Sequence, residues 1–219
     1  MSETTAVDLN ESEIYWWRPL EGESQPDTRK KILIAAYKEI HLNGFQSASL
    51  SNILAHTGVT KGALYHHFPN KTELGYAVID EVIAERISRS FITPLATAKD
   101  SIQALIDLIQ HSGEAFTLRD IELGCPLGNL AQEMAAIDEG FRVRLNHIYE
   151  LWHRAIIDAV KQAQQKGRIL PSIKPEQVAV MVVATMEGCL SAGKISQDLN
   201  KLLCCGEGLV QYLNLIQQQ

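Results

Sequence analysis

Residues 47–74 constrain the chain more than any other stretch, because their punctuation suits one local fold. Ser49 can accept a hydrogen bond from a free amide at a helix start. Leu50, Ile53 and Leu54 then follow at i, i+3 and i+4, which puts three apolar side chains on one face. Gly58 supplies the turn that stops this helix, since a left-handed backbone costs glycine nothing. Val59 can plug the corner, and Thr60 caps a second helix running to about His67, closed by Pro69. The spacing predicts a helix-turn-helix. On its second helix Leu64 and Phe68 face inward, while Lys61, Gly62, Tyr65 and His66 face out. Gly62 and Ala63 are small enough for the backbone to approach a duplex, and Lys61 and Tyr65 can reach phosphates or base edges. Asn70 and Glu73 form an Asn-headed capping box for the next helix, whose Lys71 is placed to meet a phosphate. The same spacings also fit an ordinary pair of short core helices with small residues outward.

A net charge of -6 argues against a nucleic-acid partner until it is divided along the chain. Residues 1–27 hold seven acids against Arg18 alone. Residues 28–74 hold six bases against Glu39 and Glu73, a net +4, and the remainder is mildly acidic. A basic module joined to an acidic one fits DNA binding by one part only. Just before Ser47, Asp27 or Thr28 can cap a helix whose stripe is Ile32, Ala35, Ala36, Ile40 and Phe45, with Asn43-Gly44 as its stop. Arg29 and Lys30 lie near its start, either against phosphate or as a solvated basic end.

The run Gly-Val-Thr-Lys-Gly-Ala-Leu-Tyr-His-His-Phe-Pro-Asn-Lys-Thr-Glu-Leu, preceded by residues 29–45, resembles the DNA-binding domain of the TetR/AcrR family of bacterial repressors. The resemblance is strong over about 28–78 and architectural beyond. It implies DNA contacts at Ser49, Thr60, Lys61, Gly62, Tyr65, His66 and Lys71, to which the charge argument adds Arg29. Leu54 stands where many relatives carry alanine, a difference expected to alter packing more than binding. The implied protein is all-α with about nine helices. It has an acidic N-terminal extension (1–27), a three-helix DNA-binding domain (28–74), and a ligand-binding and dimerisation domain (75–219). It would bind a near-palindromic double-stranded operator as a homodimer and leave it when a small-molecule effector enters the second domain.

The extension contains Ile14, Tyr15, Trp16 and Trp17 in acidic, polar surroundings, either a mobile tail or an aromatic anchor. Beyond residue 74 the apolar positions recur helically. A helix from Asn70 to about Phe91, interrupted at Thr93-Pro94, can couple the two domains. Next come helices over about 100–118, 138–166, from Pro175, and over about 197–218. The last two carry Val178, Val182, Met186, Cys189 and Leu190, then Leu199, Leu202, Leu203, Val210, Leu213 and Ile216, and suggest the dimer interface. Small Gly188, Ala192 and Gly193 allow close helix approach.

Cys125 precedes Pro126, which suits a first helical position, so the thiol sits at a helix N-terminus where the dipole lowers a thiol pKa. It is either a small packing residue or a reactive, ligand-contacting thiol. An effector cavity is expected from Phe116, Cys125, Asn129, Trp152 and Met186. The four cysteines are expected reduced in the cytoplasm unless they have redox work to do, with the adjacent Cys204 and Cys205 as packing residues, since neighbouring cysteines make only a strained mutual disulfide. His147 and His153 share no face cleanly, and no metal or cofactor motif, phosphate loop, nucleophile elbow or membrane-length apolar run is found. Beside the effector-released repressor stand a Cys125-based redox or electrophile sensor on the same architecture, a DNA protein without effector, and a thiol enzyme that kept a DNA module.

Overall fold

A computed structural model of the chain describes residues 14–19 and 26–217. Nine main helices occur among the described residues: α1 (Thr28–Asn43), α2 (Leu50–Thr57), α3 (Lys61–His67), α4 (71–97), α5 (Ser101–Ala115), α6 (Pro126–Met134), α7 (Glu139–Gln165), α8 (Pro175–Ser196) and α9 (Leu199–Leu215). A six-residue helix, Leu118–Leu123, joins α5 to α6. The only β pairing there is an isolated bridge between Ile169 and Gln217.

Local chemistry sets the helix starts. Asp27, rather than Thr28, caps α1 by accepting from the Lys30 amide (2.7 Å). Thr60 caps α3 through the Ala63 amide (3.2 Å), and Asn70 caps α4 through the Glu73 amide (2.8 Å). Gly58 ends α2 at φ 65°, in the left-handed region. Buried Glu39 on α1 accepts from the Ser49 amide and the Asn52 side chain, which fixes α2 against α1.

Two boundaries differ from the sequence reading. Helix α4 runs through Pro94 to Thr97, because two wide π-helical turns, Val78–Ile83 and Ser88–Ile92, already depart from α-helical bonding, and the second absorbs the proline's missing amide. The helix expected over 100–118 stops at Ala115, and Thr117 opens the short Leu118–Leu123 helix in a reciprocal capping box with Asp120. Leu202 and Leu213 are buried within the protomer, at 6% and 0% exposure. Helix α8 is long and apolar enough to cross a membrane by length and composition, but Val178, Val182, Val183 and Leu190 bury one of its faces in the shared core.

The aromatic part of the extension is an anchor. Tyr15–Trp17 forms a 3-10 turn, with Ile14, Trp16 and Trp17 buried in the core. The Trp16 carbonyl accepts from the Tyr37 hydroxyl (2.8 Å), and the Arg18 carbonyl from Arg86 (3.0 Å). The Trp17 indole N–H donates to His41 Nδ1 (3.0 Å), so the ring proton lies on Nε2 and is donated to the Gly124 carbonyl (2.8 Å). Residues 14–18 thus tie α1 to α4, and through His41 to the corner before α6.

This relay needs His41 neutral, since a proton on Nδ1 would face the indole donor. Burial pushes the His41 pKa down to about 4 from its ordinary 6.5. Between those values the unfolded chain binds the extra proton. Stability present above pH 6.5 is therefore lost as the pH falls toward 4, by up to about 3 kcal/mol. Urea unfolding at pH 7 and pH 4.5 is expected to show this drop in the parent and a much shallower one in His41→Phe. An equal drop in both would place the titration elsewhere.

Candidate nucleic-acid interface and cavity

Helix α3 presents the outward face expected of it. Thr60, Lys61, Gly62, Tyr65 and His66 are exposed, whereas Leu64 and Phe68 are buried. A Cβ built on Gly62 meets nothing within 4 Å, so the backbone there is open to an approaching molecule. The Lys61 ammonium lies 5.9 Å from the Tyr65 ring centroid, which holds the two outward groups together. Ser49 is half-buried at the α2 start, its hydroxyl accepting from Asn52 (3.4 Å).

The two flanking cations are engaged within the chain. Arg29 forms a bidentate ion pair with Glu81 on α4 and lies 5.0 Å from the Phe68 ring, so it braces α1 against α4 instead of pointing to a phosphate. Lys71 donates to the Gln46 carbonyl (2.9 Å) over the Phe45 ring, which steers the ammonium while leaving it further N–H donors for a phosphate.

Behind this face, a cavity of about 470 Å³ opens between α5 and α9 and reaches inward to α4, α7 and α8. Of the five residues expected there, Phe116, Cys125, Trp152 and Met186 line it. Asn129 does not. Its amide donates to the Leu123 carbonyl (2.6 Å) and accepts from Lys194 (3.3 Å), which locks the corner before α6. Sequence reasoning missed Trp16, which packs on Phe116 with centroids 5.5 Å apart and forms part of the wall. It also missed Phe91, tilted on Trp152 at 4.9 Å, and Glu187. The Phe91 and Trp152 positions carried an apolar helical signal; nothing local marks Trp16 or Glu187 as cavity residues.

Cys125 caps α6 as expected, its sulfur accepting from the Gly128 amide (3.4 Å), but the electrostatic consequence is reversed. Burial, reinforced by the Glu187 carboxyl, raises its pKa well above the ordinary thiol value and outweighs the helix N-terminus. The resting group is a thiol that donates to Glu187 (3.3 Å), not a reactive thiolate. The expectation of four reduced cysteines is also corrected. Cys189 and Cys205 form a disulfide between α8 and α9 beside the cavity, while Cys125 and Cys204 are free. The adjacency of Cys204 and Cys205 hid this pairing, because the partner lies 16 residues away. Among the described residues, no group of three or more His, Cys, Asp or Glu side chains is arranged to hold a metal ion.

Comparison with known proteins agrees with both halves. Residues 32–78 match the family described as "Bacterial regulatory proteins, tetR family", and residues 101–202 match "Tetracyclin repressor-like, C-terminal domain". The chain is 28% identical to the transcriptional regulator AcuR of Cereibacter sphaeroides over 76% of each chain. It is 22% identical to the HTH-type transcriptional repressor DhaR of a Mycobacterium species, over 73% of this chain and 78% of that one. A TetR transcriptional regulator structure from Chloroflexus aurantiacus superposes with a TM-score of 0.76 at 26% identity, covering 87% of this chain and 96% of the other. The reduced form of Escherichia coli NemR shares the fold at a TM-score of 0.75 and 21% identity, over 88% and 98% of the two chains. With a helix-turn-helix face in front, a lined cavity behind and both domains matched, the chain belongs to the TetR family of DNA-binding transcriptional regulators.

Proposed function

We propose that the protein is a repressor released from its operator when a small molecule occupies the 470 Å³ cavity. The observation that carries this reading is α4. It starts beside the outward face of α3 with Lys71 and reaches the cavity wall with Phe91, so a body pushed between Phe91 and Trp152 tilts the helix on which the DNA-binding face rests. The anchor at residues 14–18 offers a second connection, from Trp16 in the wall to Tyr37 on α1. Ser49, Thr60, Lys61, Gly62, Tyr65 and His66 are the proposed DNA contacts, with Lys71 secondary and Arg29 a brace. The name of DhaR as a repressor favours repression over activation. The place of action is the cytoplasm, where the operator is.

Family members dimerise, and the proposed interface is α8 with α9. Along α8, Met181, Ala184, Gly188, Ala192 and Ile195 form an exposed apolar and small stripe at helical spacing, with Ile195 85% exposed. Two such stripes bring two copies of α3 to successive turns of one groove, about 34 Å apart.

The test is fluorescence anisotropy with the intergenic DNA beside the gene. Tyr65→Ala is expected to cost at least about 1 kcal/mol of operator binding, and Lys61→Ala to lower the salt slope by about one. Parent-like binding by both variants would contradict the assignment of α3.

A further inference from the structure

The ionisable groups lining the cavity carry one sign. Glu187 belongs to its inner wall, Glu114 and Glu207 to its exposed rim, and among the described residues no Lys, Arg or His lines it. Four aromatic rings complete the wall: Trp16, Phe91, Phe116 and Trp152.

Glu187 is placed as a deliberate feature. Its carboxyl accepts from the Cys125 thiol (3.3 Å) and the Tyr149 hydroxyl, both neutral donors. Gly128 makes room for it, since a Cβ there would lie 2.2 Å from Glu187 Oε2. Lys194, two turns further along α8, turns away to the Leu123 carbonyl (3.0 Å) and Asn129. No ion pair to Glu187 occurs among the described residues. Burial accordingly raises the Glu187 pKa. A desolvated carboxyl without a counter-charge is costly to the fold, and an entering cation recovers that cost. The faces of Trp and Phe rings attract the same kind of charge once water is excluded. An organic anion would meet three carboxyl groups and no basic side chain.

We propose that the cavity selects an organic cation with an aromatic or aliphatic body, its charge against Glu187 and its body among the rings of Trp16, Phe91, Phe116 and Trp152. This rests on the reading of the cavity as the effector site. The carboxyl supplies the discrimination between charged and neutral ligands, and the rings supply most of the contact.

The probes are the fluorescent dye 4-(4-dimethylaminostyryl)-N-methylpyridinium and its neutral, unmethylated styrylpyridine, titrated into the full-length protein at pH 8. The cation is expected to bind at least about tenfold more tightly than the neutral compound. Glu187→Gln should weaken the cation at least about tenfold and leave the neutral compound within about twofold, a differential that misfolding cannot produce. Trp152→Leu should weaken both. Equal binding of the two compounds by the parent, or a preference that survives in Glu187→Gln, overturns the cation proposal and leaves the effector cavity standing. Binding of both compounds that Trp152→Leu leaves untouched puts them outside the cavity and overturns the proposal. If neither compound binds, the cation proposal fails and the effector reading is untouched.

Discussion

Gly188→Arg is expected to turn the protein into a monomer that holds operator DNA at least about 100-fold more weakly than the parent. The protomer itself tolerates the change, because a Cβ at Gly188 meets nothing within 4 Å. The side chain instead projects from the middle of the Met181, Ala184, Gly188, Ala192 and Ile195 stripe, where two copies of α8 would approach each other closely. A charge there stays hydrated and holds the copies apart. One α3 on a half-site is a weak contact; two in fixed register multiply, because the second binds at the effective concentration set by the first. Light scattering should give one protomer's mass for the variant. A Gly188→Arg protein that remains dimeric would remove α8 from the interface. Leu202 and Leu213, apolar residues of the same region, are not suitable for this test because both are buried inside the protomer.

Trp17→Ala is expected to destabilise the fold by about 3–5 kcal/mol, the range for truncating a buried large aromatic. Trp17 is 4% exposed, donates to His41, and lies under the Lys38 ammonium at 5.6 Å from its ring centroid. Trp17→Phe keeps most of the packing and loses the indole donor, leaving His41 Nδ1 unsatisfied, and should cost on the order of 1–3 kcal/mol. Denaturant unfolding separates the two. A Trp17→Ala protein within about 0.5 kcal/mol of the parent would show that residues 14–18 do not hold to the body. The loss should also loosen Trp16, and with it one wall of the cavity.

What could be read from the sequence was what local rules determine. The helix-turn-helix was legible because Ser49, Gly58, Thr60 and Asn70 each act on backbone within four residues of themselves. The cavity was legible in part, since Phe116, Trp152 and Met186 fall on apolar helical stripes that must face inward. What escaped depends on distant partners. Trp16 meets Phe116 a hundred residues later, and the Cys125 thiol is governed by Glu187, 62 residues on, so the helix terminus alone pointed to the wrong direction of its pKa. Arg29 looked free until α4 brought Glu81 beside it, and Asn129 is turned to the Leu123 carbonyl by the short helix whose Thr117–Asp120 box went unread.

In the proposed dimer, two copies of α3 read the DNA. Selection of bound duplexes from a random pool by the purified protein tests this most directly, run in parallel with a Lys61→Ala, Tyr65→Ala double variant. The expected result is enrichment of one near-palindromic site, two half-sites related by inversion, which the double variant fails to enrich. An absence of enrichment, or the same site recovered equally well by the double variant, would contradict it.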